Sequence, residues 1–229
     1  MLWLQDSLCV LLLILCHWLA PLLSKRTQRD QEALASLGGG ISLAYVFLHL
    51  LPQLNGPLHR QLLCIALLGI AIPYTLNAMR AQRSDDSSWT GQGRLMNFAI
   101  INYVYAYSLP TILNAHLSAG VLYVTAIGAH ILMADRTMAM EHPLIFRRRL
   151  RWIGSGSLIA GSLHSAVLQH LIGHSINNST IAYASAFVAG GLIMTVFHEE
   201  LPNPSASRAK WFLLGLATMT GLLLGLMLD

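Results

Sequence analysis

The sequence predicts an all-helical integral membrane protein whose single chain crosses the bilayer about eight times. Three observations carry that prediction. Only 10% of its 229 residues are Asp, Glu, Lys or Arg while 55% are hydrophobic, against about 25% charged in an ordinary soluble domain, so a water-facing surface cannot be covered. The apolar residues gather into blocks of about 20, the length at which a helix spans a hydrocarbon core about 30 Å thick. The positive residues fall in alternate connections between those blocks.

Taken in order, the blocks place helices at 2–23, 34–54, 61–79, 96–115, 117–138, 152–173, 180–202 and 209–228. The first has the length of a signal peptide but carries Asp6 in place of a positive leader, and Lys25, Arg26 and Arg29 follow it directly. That charge order predicts a retained helix inserted with its amino terminus outward. The second is glycine-rich at Gly38, Gly39 and Gly40 and ends at Pro52. Between the fourth and fifth only Asn114, Ala115 and His116 mark a turn. The longest loops, 80–95 and 139–151, bracket these two helices and divide the chain three, two, three: a first repeat at 1–79, a central pair at 96–138 and a second repeat at 152–229.

Thirteen of the fourteen Lys and Arg residues lie in the first, third, fifth and seventh connections; Arg60 alone lies elsewhere. The positive-inside rule therefore puts those connections in the cytoplasm and both termini on the opposite side, in a plasma or inner membrane. The net charge of +4 and pI near 9.2 belong to these loops, so nucleic acid is excluded as a partner and the lipid bilayer is the main one. Cys9, Cys16 and Cys64 all stand inside apolar blocks and read as small hydrophobes.

Gly40 to Pro52 superposes without a gap on Gly190 to Pro202, matching at Gly, Val, Phe, Leu and Pro, with His49 opposite Glu199. In the predicted threading these segments run in opposite directions, as in the inverted repeats of secondary transporters. Gly and Pro are also frequent in membrane helices, and composition is the other explanation of the five matches.

Residues 38–54, GGGISLAYVFLHLLPQL, and residues 186–202, AFVAGGLIMTVFHEELP, resemble the second and seventh helices of the ZIP (Zrt/Irt-like) family of divalent-metal transporters. The resemblance implies eight helices in a 3+2+3 inverted-repeat arrangement with outward termini, zinc or a similar ion as the transported substrate, and a metal path between helices four and five. A homodimer is compatible with it. The family's ligand phrases are depleted here. The helix-four phrase reads Asn102-Tyr103-Val104-Tyr105-Ala106-Tyr107, and the helix-five phrase His130-Ile131-Leu132-Met133-Ala134-Asp135, which keeps only the leading His and a final carboxylate.

Ionisable groups inside a span cost about 2.5–3.5 kcal/mol on insertion scales, so each requires a partner or a purpose. The candidate metal ligands are Asn102, His130 and Asp135 with His164, His170 and His174 of helix six; the candidate path adds Tyr103, Tyr105, His49, His198 and Glu199. His170 and His174, four apart, share a helix face and suit zinc in combination with His130 or Asp135; interfacial solvation of His174 and local bonding of His170 account for them more simply. Asp135 has Arg136 and Arg80 as alternative partners, and Glu199 and Glu200 lie near a solvated helix end. HEELP lacks the second His of a His-Glu-x-x-His protease helix.

Three functions follow as expectations. The first is a ZIP-like transporter of a divalent cation with an altered site, not an enzyme and with no resident cofactor. The second is a membrane-embedded metal-dependent enzyme built on the helix-six histidines. The third is a scaffold without transport.

Overall fold

The computed structural model describes residues 2–23, 27–55, 57–82, 88–141, 143–171, 178–197 and 208–226. Among them the chain is helical throughout, with eight long helices and no strand. These are α1 (Leu2–Leu23), α2 (Gln28–Tyr45), α3 (His59–Gln82), α4 (Ser88–Ala115), α5 (Leu117–Glu141), α6 (Arg151–Leu171), α7 (Asn178–Thr195) and α8 (Ala209–Leu226).

Each helix covers one predicted apolar block, and the differences lie at the ends. α2 begins six residues before the predicted 34 because Thr27 caps it: the Thr27 hydroxyl oxygen accepts from the Asp30 amide at 3.3 Å, and Asp30 supplies the acidic first turn. α4 begins at Ser88 rather than 96, so the predicted loop 80–95 is largely helix. The break at His116 separates α4 from α5 as expected, with Gly120 admitting the Leu113 side chain where a Cβ would collide.

Four segments are long and apolar enough to cross a membrane by length and composition: Leu4–Leu23, Arg29–Leu54, His59–Leu76 and Leu117–Met140. The chain is therefore a membrane protein. Ala182–Thr195 and Ala209–Gly225 are apolar but shorter. α4 and α6 are diluted by the polar residues that the site below uses.

α2 packs along α8, α3 along α7, α1 along α5 and α4 along α6, with further contacts of α1 with α6 and of α4 with α5. Three of these pairs close on glycine, α4–α6 through Gly161, where a Cβ would strike the Tyr103 carbonyl oxygen, and the other two reciprocally. A Cβ on Gly40 of α2 would strike the Phe212 carbonyl of α8, and one on Gly215 of α8 would strike the Leu37 carbonyl of α2. Likewise a Cβ on Gly190 of α7 would strike Ala66 of α3, and one on Gly69 of α3 the Phe187 carbonyl of α7. Without a hydrophobic drive between helices in lipid, such small-residue contacts supply the association through dispersion at close range.

α2 ends irregularly. A π-helical turn spans Val46–Leu50 and a 3-10 turn Pro52–Leu54, because Pro52 has no amide hydrogen to continue the regular ladder. α7 widens in the same way at Val196 and Phe197. Val46 and Val196 are both buried, while Phe47 and Phe197 both face outward.

The main apolar core joins α1, α2, α4, α5 and α7, with Leu158 of α6 and Met219 and Leu223 of α8, around Leu13, Tyr45, Tyr105, Leu109, Tyr123 and Ile127. A second layer, Ala20, Ala139, Phe146 and Leu150, fills one end between α1, α5 and the turn entering α6.

Candidate functional site

The most buried charged cluster in the described chain is centred on a residue to which the sequence reading gave no role. His17, on α1 and with no solvent exposure, places Nδ1 2.5 Å from Asp135 Oδ2 on α5 and Nε2 3.1 Å from Asn102 Oδ1 on α4. Three helices are thereby joined through one imidazole. Gly154 on α6 makes the room, since a Cβ there would lie 2.6 Å from His17 Cε1 and 2.7 Å from Nε2. Phe98 closes the cluster edge-on, with ring centroids 5.8 Å apart.

Donor and acceptor counting sets the protonation of this cluster. The Asn102 amide nitrogen donates to the Phe98 carbonyl at 2.9 Å, which turns Oδ1 toward His17. An oxygen acceptor there requires His17 Nε2 to donate. The remaining ring nitrogen meets a carboxylate oxygen, so one proton is shared between Nδ1 and Asp135, either as an imidazolium–carboxylate pair or as imidazole and carboxylic acid. Both forms have zero net charge, which removes most of the cost of placing the groups in hydrocarbon. Asp135 Oδ1 remains buried with no hydrogen-bond partner among the described residues, leaving a lone pair available to a cation.

Asp135 therefore finds its partner on α1 and not at the adjoining Arg136, which instead donates to Gln31 Oε1 at 3.0 Å. His130 is also buried, within electrostatic reach of Asp135 and edge-on to Tyr105 with centroids 6.0 Å apart. From there a line of polar aromatic groups crosses the core. The Tyr123 hydroxyl donates to the Tyr105 carbonyl at 3.0 Å, Tyr123 meets Tyr45 at 6.2 Å, and Tyr45 meets His49 at 5.0 Å. His49 accepts a hydrogen bond from Gln53 at 2.9 Å beside the π-helical turn of α2. Toward the arginine-rich end the cluster is closed by the layer of Ala20, Ala139, Phe146 and Leu150.

The predicted site residues thus separate. Asn102 and Asp135 are joined through His17, and His130, Tyr105 and His49 lie along the line just described. Tyr103 and His164 form a different group: the Tyr103 hydroxyl hydrogen-bonds His164 Nδ1, and Tyr107 stacks on Tyr103 with centroids 6.0 Å apart. The His170 side chain, His174, His198 and Glu199 lie outside the described residues. Among the described residues no three His, Cys, Asp or Glu side chains stand close enough to hold a metal ion.

A second buried carboxylate was also passed over. Asp6 of α1 accepts from the Ser162 hydroxyl of α6 at 2.6 Å, and its other oxygen has no partner among the described residues. The signal for both omissions was present in the sequence, as an ionisable residue inside an otherwise leucine-rich span. No family model matches the chain, and no curated protein matches it significantly.

Proposed function

We propose that the protein is a secondary transporter of ZIP-like architecture that moves a divalent metal, zinc or a similar cation, along the α4–α5 axis through an altered site. One observation carries the reading. Exchanging α1 with α6, α2 with α7, α3 with α8 and α4 with α5 preserves the main helix pairings: α2–α8 becomes α7–α3, α1–α5 becomes α6–α4, and α1–α6 and α4–α5 return to themselves, while the smaller α1–α4 contact has no α6–α5 counterpart of its size.

The glycine contacts of α2–α8 and α3–α7 follow the same exchange residue by residue. Gly215 meets the residue three before Gly40, and Gly69 meets the residue three before Gly190; the reciprocal contacts keep the same offset of three. Gly40 and Gly190 are the first residues of the two matching segments, and the widened turns start six residues on, at Val46 and Val196. Composition gives glycines; it gives no reason for equal registers on two partner helices. An inverted repeat with 3+2+3 division gives one, and such repeats place a site near the midplane and alternate its access.

The His17–Asp135–Asn102 cluster supports the reading by joining α1 to α4 and α5 through buried polar groups, with apolar side chains closing one end. In this reading the arginine-rich connections are cytoplasmic, both termini face the other side of a plasma or inner membrane, and a homodimer is the working oligomer.

Uptake of zinc, manganese, iron and cobalt into proteoliposomes tests it. Saturable uptake of at least one ion is expected, lowered about tenfold or more by Asp135→Asn. No uptake above that of empty vesicles for any of the four overturns the transport reading, and a terminal tag reached from the cytoplasm overturns the orientation.

A further inference from the structure

The segment from Pro143 to Trp152 has a composition that transport does not explain. Arg147, Arg148 and Arg149 are exposed on the π-helical turn entering α6, and beside them Leu144, Ile145 and Trp152 are exposed at 61%, 48% and 57%. Phe146 and Leu150 point the other way, into the layer with Ala20 and Ala139, and hold the segment against the bundle. The outer face of one turn therefore offers positive charge next to bare aliphatic and indole surface.

Arg151 completes the arrangement. Its guanidinium lies 4.3 Å above the Trp18 ring and 5.8 Å from that of Trp152, and the two indoles meet edge-on at 5.0 Å. Its Nε has no hydrogen-bond partner, and no acidic side chain among the described residues pairs with any of these four arginines. Orienting a chain in the membrane needs only the charge of such residues. It needs neither an indole pair holding a guanidinium nor exposed aliphatic side chains on the same turn.

We propose that this segment binds the headgroup of an anionic phospholipid at the end of α1 and α6. Guanidinium groups match phosphate oxygens in planar, two-bond geometry. The indoles of Trp18 and Trp152 suit the interfacial depth at which that phosphate lies, while Leu144 and Ile145 face the start of the acyl chains. The net negative charge of the lipid answers four cations that no described acidic side chain pairs. The proposal requires the membrane reading alone and is independent of what the protein transports.

Native mass spectrometry of the full chain, with phosphatidylglycerol or phosphatidylcholine of equal chain length, tests it. Preferential retention of phosphatidylglycerol is expected. Losing three arginines, each contributing about 1 kcal/mol near an anionic surface, lowers that preference by about a hundredfold in the R147Q/R148Q/R149Q variant. Arg151→Gln gives a smaller loss. Raising the salt concentration on the unaltered protein should also abolish the preference, a readout that does not depend on any variant folding. Equal retention of the two lipids, or preference unchanged by both salt and substitution, overturns the proposal. So does glycerophosphate binding as tightly as phosphatidylglycerol, since that describes a free-phosphate site.

Discussion

The pairs α2–α8 and α3–α7 meet backbone to backbone on reciprocal glycines, whereas α1, α4, α5 and α6, which share one such contact at Gly161, meet around polar side chains. In the first region four glycines bring helices so close that a single methyl group has no space. In the second, every buried acid or imidazole of the described chain, namely Asp6, His17, His130 and Asp135, stands on α1 or α5 and reaches across to a neighbour. The difference is one of exchangeability. A glycine contact has one packed state, while a hydrogen-bonded side chain can trade its partner for an ion or water. The transport proposed above would use both kinds of contact, a frame that keeps its shape and a group whose contacts can be remade.

The largest effect should come from breaking the polar region one-sidedly. His17→Leu leaves Asp135 buried without its partner and should cost about 3–5 kcal/mol, whereas adding Asp135→Leu to it should recover much of that loss, because removing both members of a buried pair removes the stranded charge. Unfolding of the purified protein in detergent measures this. A double variant as unstable as the single one would show that the imidazole acts through packing above Gly154 and not through its charge partner.

The glycine region gives a smaller but sharper test. Gly40→Ala and Gly190→Ala each force a backbone apart and should cost about 1–3 kcal/mol. Because the two positions have the same register on their partner helices, the two costs should agree. Unequal losses in the same unfolding assay would break the equivalence on which the inverted repeat rests. The smallest effect is a control: Gly221→Ala, where a Cβ meets nothing within 4 Å, should be neutral or stabilise by up to about 1 kcal/mol. If it destabilises as much as Gly190→Ala, close approach is not what the glycines provide.

Spans and breaks were legible because apolar block length and loop charge are local properties. α1 coincides with its predicted bounds, and even the one-residue break at His116, inside the predicted turn 114–116, was readable. Half of the candidate site was legible as well. Asn102, His130 and Asp135 stood out as polar or ionisable groups within spans. His17 and Asp6 sent the same signal, and they were overlooked because α1 was read only for its insertion. Tyr103 and His164 form a group apart from Tyr105, which the sequence alone does not separate, since nearby residues on one helix point to different neighbours.

Composition, block length and the placement of arginines thus determined by themselves that this chain is a helical membrane protein, because the cost of a charge or an unpaired backbone group in hydrocarbon is paid residue by residue. Tertiary structure alone decided that His17 joins Asp135 across 118 positions of sequence. It also decided that four glycines, unremarkable singly, meet their partner helices in matching register. Both are relations between helices, and each depends on which face a helix turns toward a neighbour distant in the chain.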